Sequence, residues 1–513
     1  MRTSLLLLCG LTLSGIGLSG VAGCGGGMSS SAGGGGSAAT GGTAGSGAGN
    51  TAGSGTGGTA GSSTGGTGGT GGSTPGDGAC PTGKFPADKQ IVFETSSSID
   101  TDTTWTKDNL YIVKGGLTLE AQLTIEAGTT VCFDNDFFDN GAIHVAEHFE
   151  GGIHVAGTQA EHVTLTAVDP AKGWDGVHVF GYATQAELSY TDFYYGSRPA
   201  DTISQHFTKG AFHTQDAGSS DGMAPAARLD HVSFYDTKQG GTLWLLADAG
   251  LTPDSVVTIG GFNLFQDDPQ FEDPAVIVSP EAASSLTPGM ITLSPDIPES
   301  KRGIELLNGT ISADATIHAI DIPYFIPSGL FISNSVDKVD PVKVTFEAGV
   351  EVRLGAGAWM QVGASGAGTP GNLVLDGTAE KPVKFVHYPF PYNNFADNWG
   401  GIVFERYDPA VSRISHAILE NGGLIAFSKV SDACGTNSSE GVVLLKSPTG
   451  GGGSDYPSIA IDHTAFNGSY DNGIVAECSI GCIDPAIDYL DPTLGNTFTN
   501  IAGKPQILAT CPP

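Results

Sequence analysis

Two hexapeptides far apart in the chain, Leu123-Thr124-Ile125-Glu126-Ala127-Gly128 and Val344-Thr345-Phe346-Glu347-Ala348-Gly349, follow one pattern: apolar residues alternating with Thr, closed by Glu-Ala-Gly. Apolar/polar alternation marks a strand with one buried face, and a glycine after it marks a turn. Outward from this pair the matches continue in the same order. Gly157-Thr158 is answered by Gly377-Thr378, and Trp174-Asp175-Gly176-Val177 by Trp399-Gly400-Gly401-Ile402. Leu188-Ser189-Tyr190 is answered by Ile414-Ser415-His416, Leu229-Asp230-His231 by Ile461-Asp462-His463, and Asn263-Leu264-Phe265 by Asn496-Thr497-Phe498. The intervals between landmarks are 31, 17, 16, 41 and 32 residues from Glu126, and 30, 22, 17, 47 and 33 from Glu347. Agreement to within six residues over five intervals argues for an internal duplication, with unit one at 79–310 and unit two at 311–513.

Within each unit the recurring signal is a short alternating stretch, such as Val163-Thr164-Leu165-Thr166 or Val383-Lys384-Phe385-Val386, broken by Gly, Asn and Asp. No 12-residue stretch holds a helical period with suitable caps. Brief strands at repeated intervals suit a sandwich, a propeller or a coiled solenoid. The lack of two-residue hairpin dipeptides between mirrored strands favours the solenoid.

The series Leu-Thr-Ile-Glu-Ala-Gly-Thr, then Gly-Thr, then Trp-x-Gly-Val/Ile, then Ser/Asp-His-x-x-Phe/Leu resembles the right-handed parallel β-helix lipoproteins of bacterial surfaces, over most of 91–510. The resemblance implies an all-β fold: a right-handed parallel β-helix, or solenoid, built from two duplicated units. With rungs of about two dozen residues stacked about 4.8 Å apart, some 15 rungs would make a rod of roughly 70–80 Å.

The N-terminal segment has a different chemistry. Met1-Arg2, the run Leu5-Leu6-Leu7-Leu8 and the ending Val21-Ala22-Gly23-Cys24 read as a secretory signal over 1–23. The ending resembles a bacterial lipobox, in which Cys24 carries lipid, and Gly25 after it is compatible with outer-membrane sorting. Acyl chains would add about 0.8 kcal/mol per buried methylene to anchoring. Residues 24–78 form the lipidated cysteine and a disordered Gly/Ser/Thr-rich tether: 25 glycines, no aromatic residue and one charge, Asp77, lie between 25 and 78. Such a composition does not bury enough apolar surface to offset ordering entropy.

Charge bounds the partners. With 22 Lys+Arg against 54 Asp+Glu, a formal charge of −32, the chain lacks the basic footprint that binds phosphate backbones, so nucleic acid is not an expected partner. Membrane contact is expected through the lipid anchor alone. Of eight cysteines, Cys9 leaves with the signal and Cys24 takes lipid. The remaining Cys80, Cys132, Cys434, Cys478, Cys482 and Cys511 are disulfide candidates in an exported chain, with Cys80 to Cys132 preferred and the other four pairing among themselves. A metal site at Cys478-x3-Cys482 lacks a matching His/Cys pair.

Few residues suggest chemistry. Asp134, Asp136 and Asp139 form the densest run of oxygen ligands and offer the chain's place for Ca2+, although Val145 stands where an EF-hand needs Glu; a solvated turn explains the same residues and is preferred. The insertion 196–227 holds His206, His213, Asp216 and Asp221, and reads as a surface loop. Asp230-His231 resembles the Asp-His of pectate lyases, yet its recurrence as Asp462-His463 makes it a stacking or capping feature of the coil. Asp267-Asp268 evokes paired glycosidase carboxylates, but the other polygalacturonase signatures are missing. No residue is therefore assigned to catalysis and no cofactor is required. Tyr388, Phe390, Tyr392 and Phe395 cluster outside the regular pattern and are candidates for stacking on sugar rings. The expected function is a lipid-anchored extracytoplasmic module that binds a glycan or a surface protein. A polysaccharide lyase or glycoside hydrolase of the pectin-lyase-like fold, and a structural envelope spacer, are the alternatives.

Overall fold

The computed structural model describes residues 78–94, 97–135, 141–147, 149–197, 210–215, 226–238, 241–246, 250–262, 274–334, 340–363, 370–389, 397–424, 430–432, 437–446, 458–476 and 487–508. The described residues from Gln90 to Ile507 form a parallel β-coil. Strands recur in threes: Thr130–Asp134, Ala142–Val145 and Gly151–Ala156 are followed by Val163–Ala167, which pairs in parallel with Thr130–Asp134 and so opens the next turn. Connections of this kind are overwhelmingly right-handed. One sheet of 14 strands runs from Ser97–Ile99 to Thr497–Ile501 through both halves. At about 4.8 Å per strand it spans about 60 Å, less than the sequence-based length, because its turns from Ser97 to Thr497 take on average more residues than the two dozen expected.

The alternation seen in the sequence is the alternation of burial. In Gly116–Leu119 and Glu351–Leu354 the second and fourth residues are buried and the others partly exposed. Inward residues stack rung on rung: Leu117, Ile143, Val177, Phe212, Leu243, Val276 and Ile304 occupy one file of the long sheet. Each such side chain sealed from water contributes roughly 1.5–3 kcal/mol. Aromatic files reinforce it, with Phe133 stacked on Trp174 at 3.8 Å and Phe193 packed at a tilt on Phe234 at 4.7 Å between ring centres.

The duplication is visible atom by atom. Trp174 and Trp399 are both fully buried, and their indole Nε1 atoms donate to the carbonyls of Tyr194 and Glu420 at 2.8 and 2.7 Å. Thr158 and Thr378 each close a turn by accepting from the backbone N–H three residues on, both at 3.1 Å. Gly128 and Gly349, which end the two hexapeptides, both have the positive φ (77° and 94°) that favours glycine.

The copies nevertheless differ by one face. Gly176–Val179 lies in the long sheet, whereas its counterpart Gly401–Phe404 lies in a seven-stranded sheet; Val163–Ala167 lies in the 11-stranded sheet, whereas its counterpart Val383–His387 lies in the long one. The change falls near the repeat boundary, where the 11-stranded sheet ends at Ile291–Leu293 and the second-half sheets begin at Gly309–Ile311 and Ala315–Ile317. The last landmark is corrected as well: Phe498 pairs with Phe466 as Ile259 pairs with Phe234, so Ile259, not Phe265, is its counterpart. An antiparallel pair, Val430–Asp432 with Asn437–Ser439, is the hairpin the sequence did not signal.

Cys80 and Cys132 form a disulfide that fastens the N-terminal segment to the outer side of the coil, beside Leu110, Ile112 and Phe85. With a sequence separation of 52 between the partners, cross-linking constrains the unfolded chain substantially. Replacing both cysteines by Ser is expected to lower stability by about 2–4 kcal/mol, read by urea unfolding. Cys434, Cys478, Cys482 and Cys511 lie outside the described residues, as do Cys24 and the segment 1–77.

Candidate functional site

The Ser/Tyr and Asp/His positions singled out by the repeat come together at one corner of the coil. Tyr190, His231, His416 and His463 all adopt a left-handed backbone, with φ of 43°, 56°, 47° and 46°. Each corner begins on glycine because a Cβ on Gly157 would lie 2.3 Å from the Tyr190 carbonyl oxygen, and one on Gly377 2.1 Å from that of His416. The rings above then stack, Tyr190 on His231 at 4.6 Å and His416 on His463 at 4.5 Å.

In unit one this corner is closed by a cation. Arg228 reaches Asp254 (Nε, 2.7 Å), Asp230 (Nη2, 3.1 Å) and the Ser189 hydroxyl (Nη1, 3.3 Å), and His231 Nδ1 lies 2.6 Å from Asp230 Oδ1. In unit two Ala460 stands at the position of Arg228, since Arg228 pairs with Glu187 as Ala460 does with Arg413. Arg413 itself is turned back to Asp376 at 3.0 Å. The Ser415 hydroxyl instead donates to Asp462 Oδ1 at 2.7 Å and lies 3.1 Å from His416 Nδ1, and His463 Nδ1 lies 3.1 Å from the same Asp462 oxygen. Burial pushes the Asp462 carboxyl up, but the Ser415 and His463 contacts outweigh it and hold the group below its ordinary range.

A second cluster was not anticipated. Along the outer side of the long sheet, His144, His178, His213 and Trp244 are in register on four successive rungs. Neighbouring imidazoles meet edge-on at 5.3 and 5.6 Å. His178 is 1% and His213 3% exposed, and among the described residues none of their four ring nitrogens has a hydrogen-bond partner. Burial holds His178 well below its usual range, with His144 and His213 adding to the effect, and pushes His213 down to about 4. His213 therefore corrects the surface-loop reading of 196–227: Phe212–Thr214 is a strand, interposed between the two parts of that insertion. His206, Asp216 and Asp221 lie outside the described residues. In unit two the equivalent outward positions are Val403, Leu444 and Val475, which form an apolar cluster of their own.

Of the aromatic candidates, Tyr388 is half-buried: its ring stacks on Phe325 at 5.4 Å, and the Arg353 guanidinium sits 5.3 Å from its centre. Phe390, Tyr392 and Phe395 lie outside the described residues. Asp134 ends a strand beside Lys114, with which it is in register; Asp136 and Asp139 lie outside the described residues, as do Asp267 and Asp268. A groove of about 350 Å³ opens at the repeat boundary, lined by Leu286, Ile291, Leu293, Arg302, Asp321 and Ile322 among others.

Compared with family models, curated proteins and solved structures, the chain finds no match in any of the three.

Proposed function

We propose that this chain is a lipid-anchored, extracytoplasmic β-helix that binds a glycan or a surface partner without turning it over. The leader ending at Cys24 and the tether to residue 78 support the anchoring. The outer membrane or cell surface is the location that fits them. The acidic balance disfavours an anionic polymer and leaves neutral glycans as the better ligand class.

The observation that carries the reading is the ledge at Tyr388. Phe325 and Arg353 hold the half-buried ring in place, so it has little conformational freedom left to lose when a sugar packs against it. Glycan-array binding by the full-length chain, with reducing-sugar and unsaturated-product assays on the same panel, tests it. Tyr388→Ala is expected to weaken glycan binding by about tenfold. Turnover of any polysaccharide would replace this reading with a lyase or hydrolase, and neither binding nor turnover would leave a spacer.

A further inference from the structure

The two copies of the ring-stacked corner differ by substitutions that change what each can hold. In unit one, Arg228 fills the corner and satisfies Asp230, and one of the two stacked rings is Tyr190, which offers no imidazole nitrogen. In unit two, both features are reversed: Ala460 leaves the space of the guanidinium and His416 replaces the phenol.

We infer that His416, Asp462 and His463 form a binding site for a divalent ion of the borderline class, such as Zn2+, Co2+ or Ni2+. One ligand atom from each residue lies within 4.8 Å of the other two. Two imidazoles and one carboxylate are a donor set suited to these ions, and three protein ligands leave a coordination position open to water or to an exogenous group. Solvent reaches the site, since the side chains of Asp462 and His463 are 34% and 54% exposed. The hydroxyl of Ser415 now bridges Asp462 and His416, so a cation would take over the role of its proton. An imidazole nitrogen binds metal in the plane of its own ring, and the two rings are parallel to within 1°. Capture therefore turns the rings toward one another about their Cβ–Cγ bonds, while the left-handed corners that carry them stay fixed. Among the described residues no lysine or arginine pairs with Asp462, which removes the competitor that occupies the equivalent carboxylate in unit one.

This site is independent of the glycan reading. The test is calorimetric titration of the full-length chain with Zn2+, followed by Co2+ absorption. The double variant His416→Tyr/Ala460→Arg rewrites the unit-two corner as that of unit one and is expected to lose one equivalent of bound ion. The reverse variant, Tyr190→His/Arg228→Ala, is expected to gain one. His463→Asn, which keeps a residue tolerant of the left-handed backbone, is expected to lose the same equivalent and covers the case in which the double variant fails to fold. An unchanged number of bound ions in His416→Tyr/Ala460→Arg with retained circular dichroism, or in His463→Asn, overturns the assignment, as does failure of the wild-type chain to bind Zn2+ at all.

Discussion

Between pH 7 and pH 4.5 the chain is expected to lose several kcal/mol of stability that the variant His178→Val/His213→Leu retains. The sign follows from the direction of the shifts. His213 is pushed down to about 4 in the folded chain, below its ordinary 6.5, and His178 is lowered in the same sense. The unfolded chain therefore binds more protons than the folded one between those values. The contribution is fully present above about pH 6.5 and is lost as pH falls toward 4. For His213 alone the difference amounts to about 3 kcal/mol. Among the described residues no carboxylate pairs with either ring; on the adjoining strand His144 lies 3.5 Å from Glu147. Protonation of the two inner rings would thus place positive charge beside positive charge.

Unit two supplies the control. Its equivalent file carries Val403, Leu444 and Val475 at 0–1% exposure, so the coil accepts aliphatic side chains at these outward positions. The substitutions His178→Val and His213→Leu copy that arrangement, and at pH 7 they are expected to leave stability unchanged or to raise it, because they remove buried nitrogens without partners. Urea unfolding of both proteins at pH 7 and pH 4.5 checks this: carboxylates titrate alike in the two, so only the difference between slopes reports the imidazoles. Parallel pH dependence in wild type and variant would show that these rings do not control acid stability.

Sequence carried the coil, its strands and the duplication because those rest on local signals: alternation, the Glu-Ala-Gly turn and the spacing of Trp and Gly landmarks. What it could not carry depends on how rungs stack. The one-face offset between the copies leaves every rung intact, so it has no local signature. Phe212–Thr214 is three residues long and places a histidine on its outward side, too short for a period and too polar to announce burial. The final landmark failed because matching Asn-x-Phe spellings outweighed rung register, which the pairing of Phe498 with Phe466 settles. At the corner, recurrence of Asp-His showed a feature of the scaffold. The exchange of Arg228 for Ala460 became interpretable only when the strands that carry them were paired.

Trp174→Ala and Trp399→Ala are each expected to cost about 3–5 kcal/mol, and the double variant is expected to lose the sum. Each indole is fully buried at an equivalent corner and donates to a carbonyl on the next rung, so truncation leaves both a cavity and an unpaired acceptor. Their aromatic neighbours differ. Trp174 lies flat against Phe133 at 3.8 Å, whereas Trp399 meets Phe385 edge-on at 6.2 Å, which places Trp174→Ala toward the upper end of the range. Additivity follows from the architecture, because in a coil each rung contacts chiefly its neighbours and several rungs separate the two sites. Trp174→Phe and Trp399→Phe preserve most of the apolar volume but lose the indole donor, and should cost about 1–3 kcal/mol each. Denaturant unfolding followed by hydrogen exchange reads both quantities. A double variant that loses much more or much less than the sum of the singles would mean that the two corners are coupled through the rungs between them.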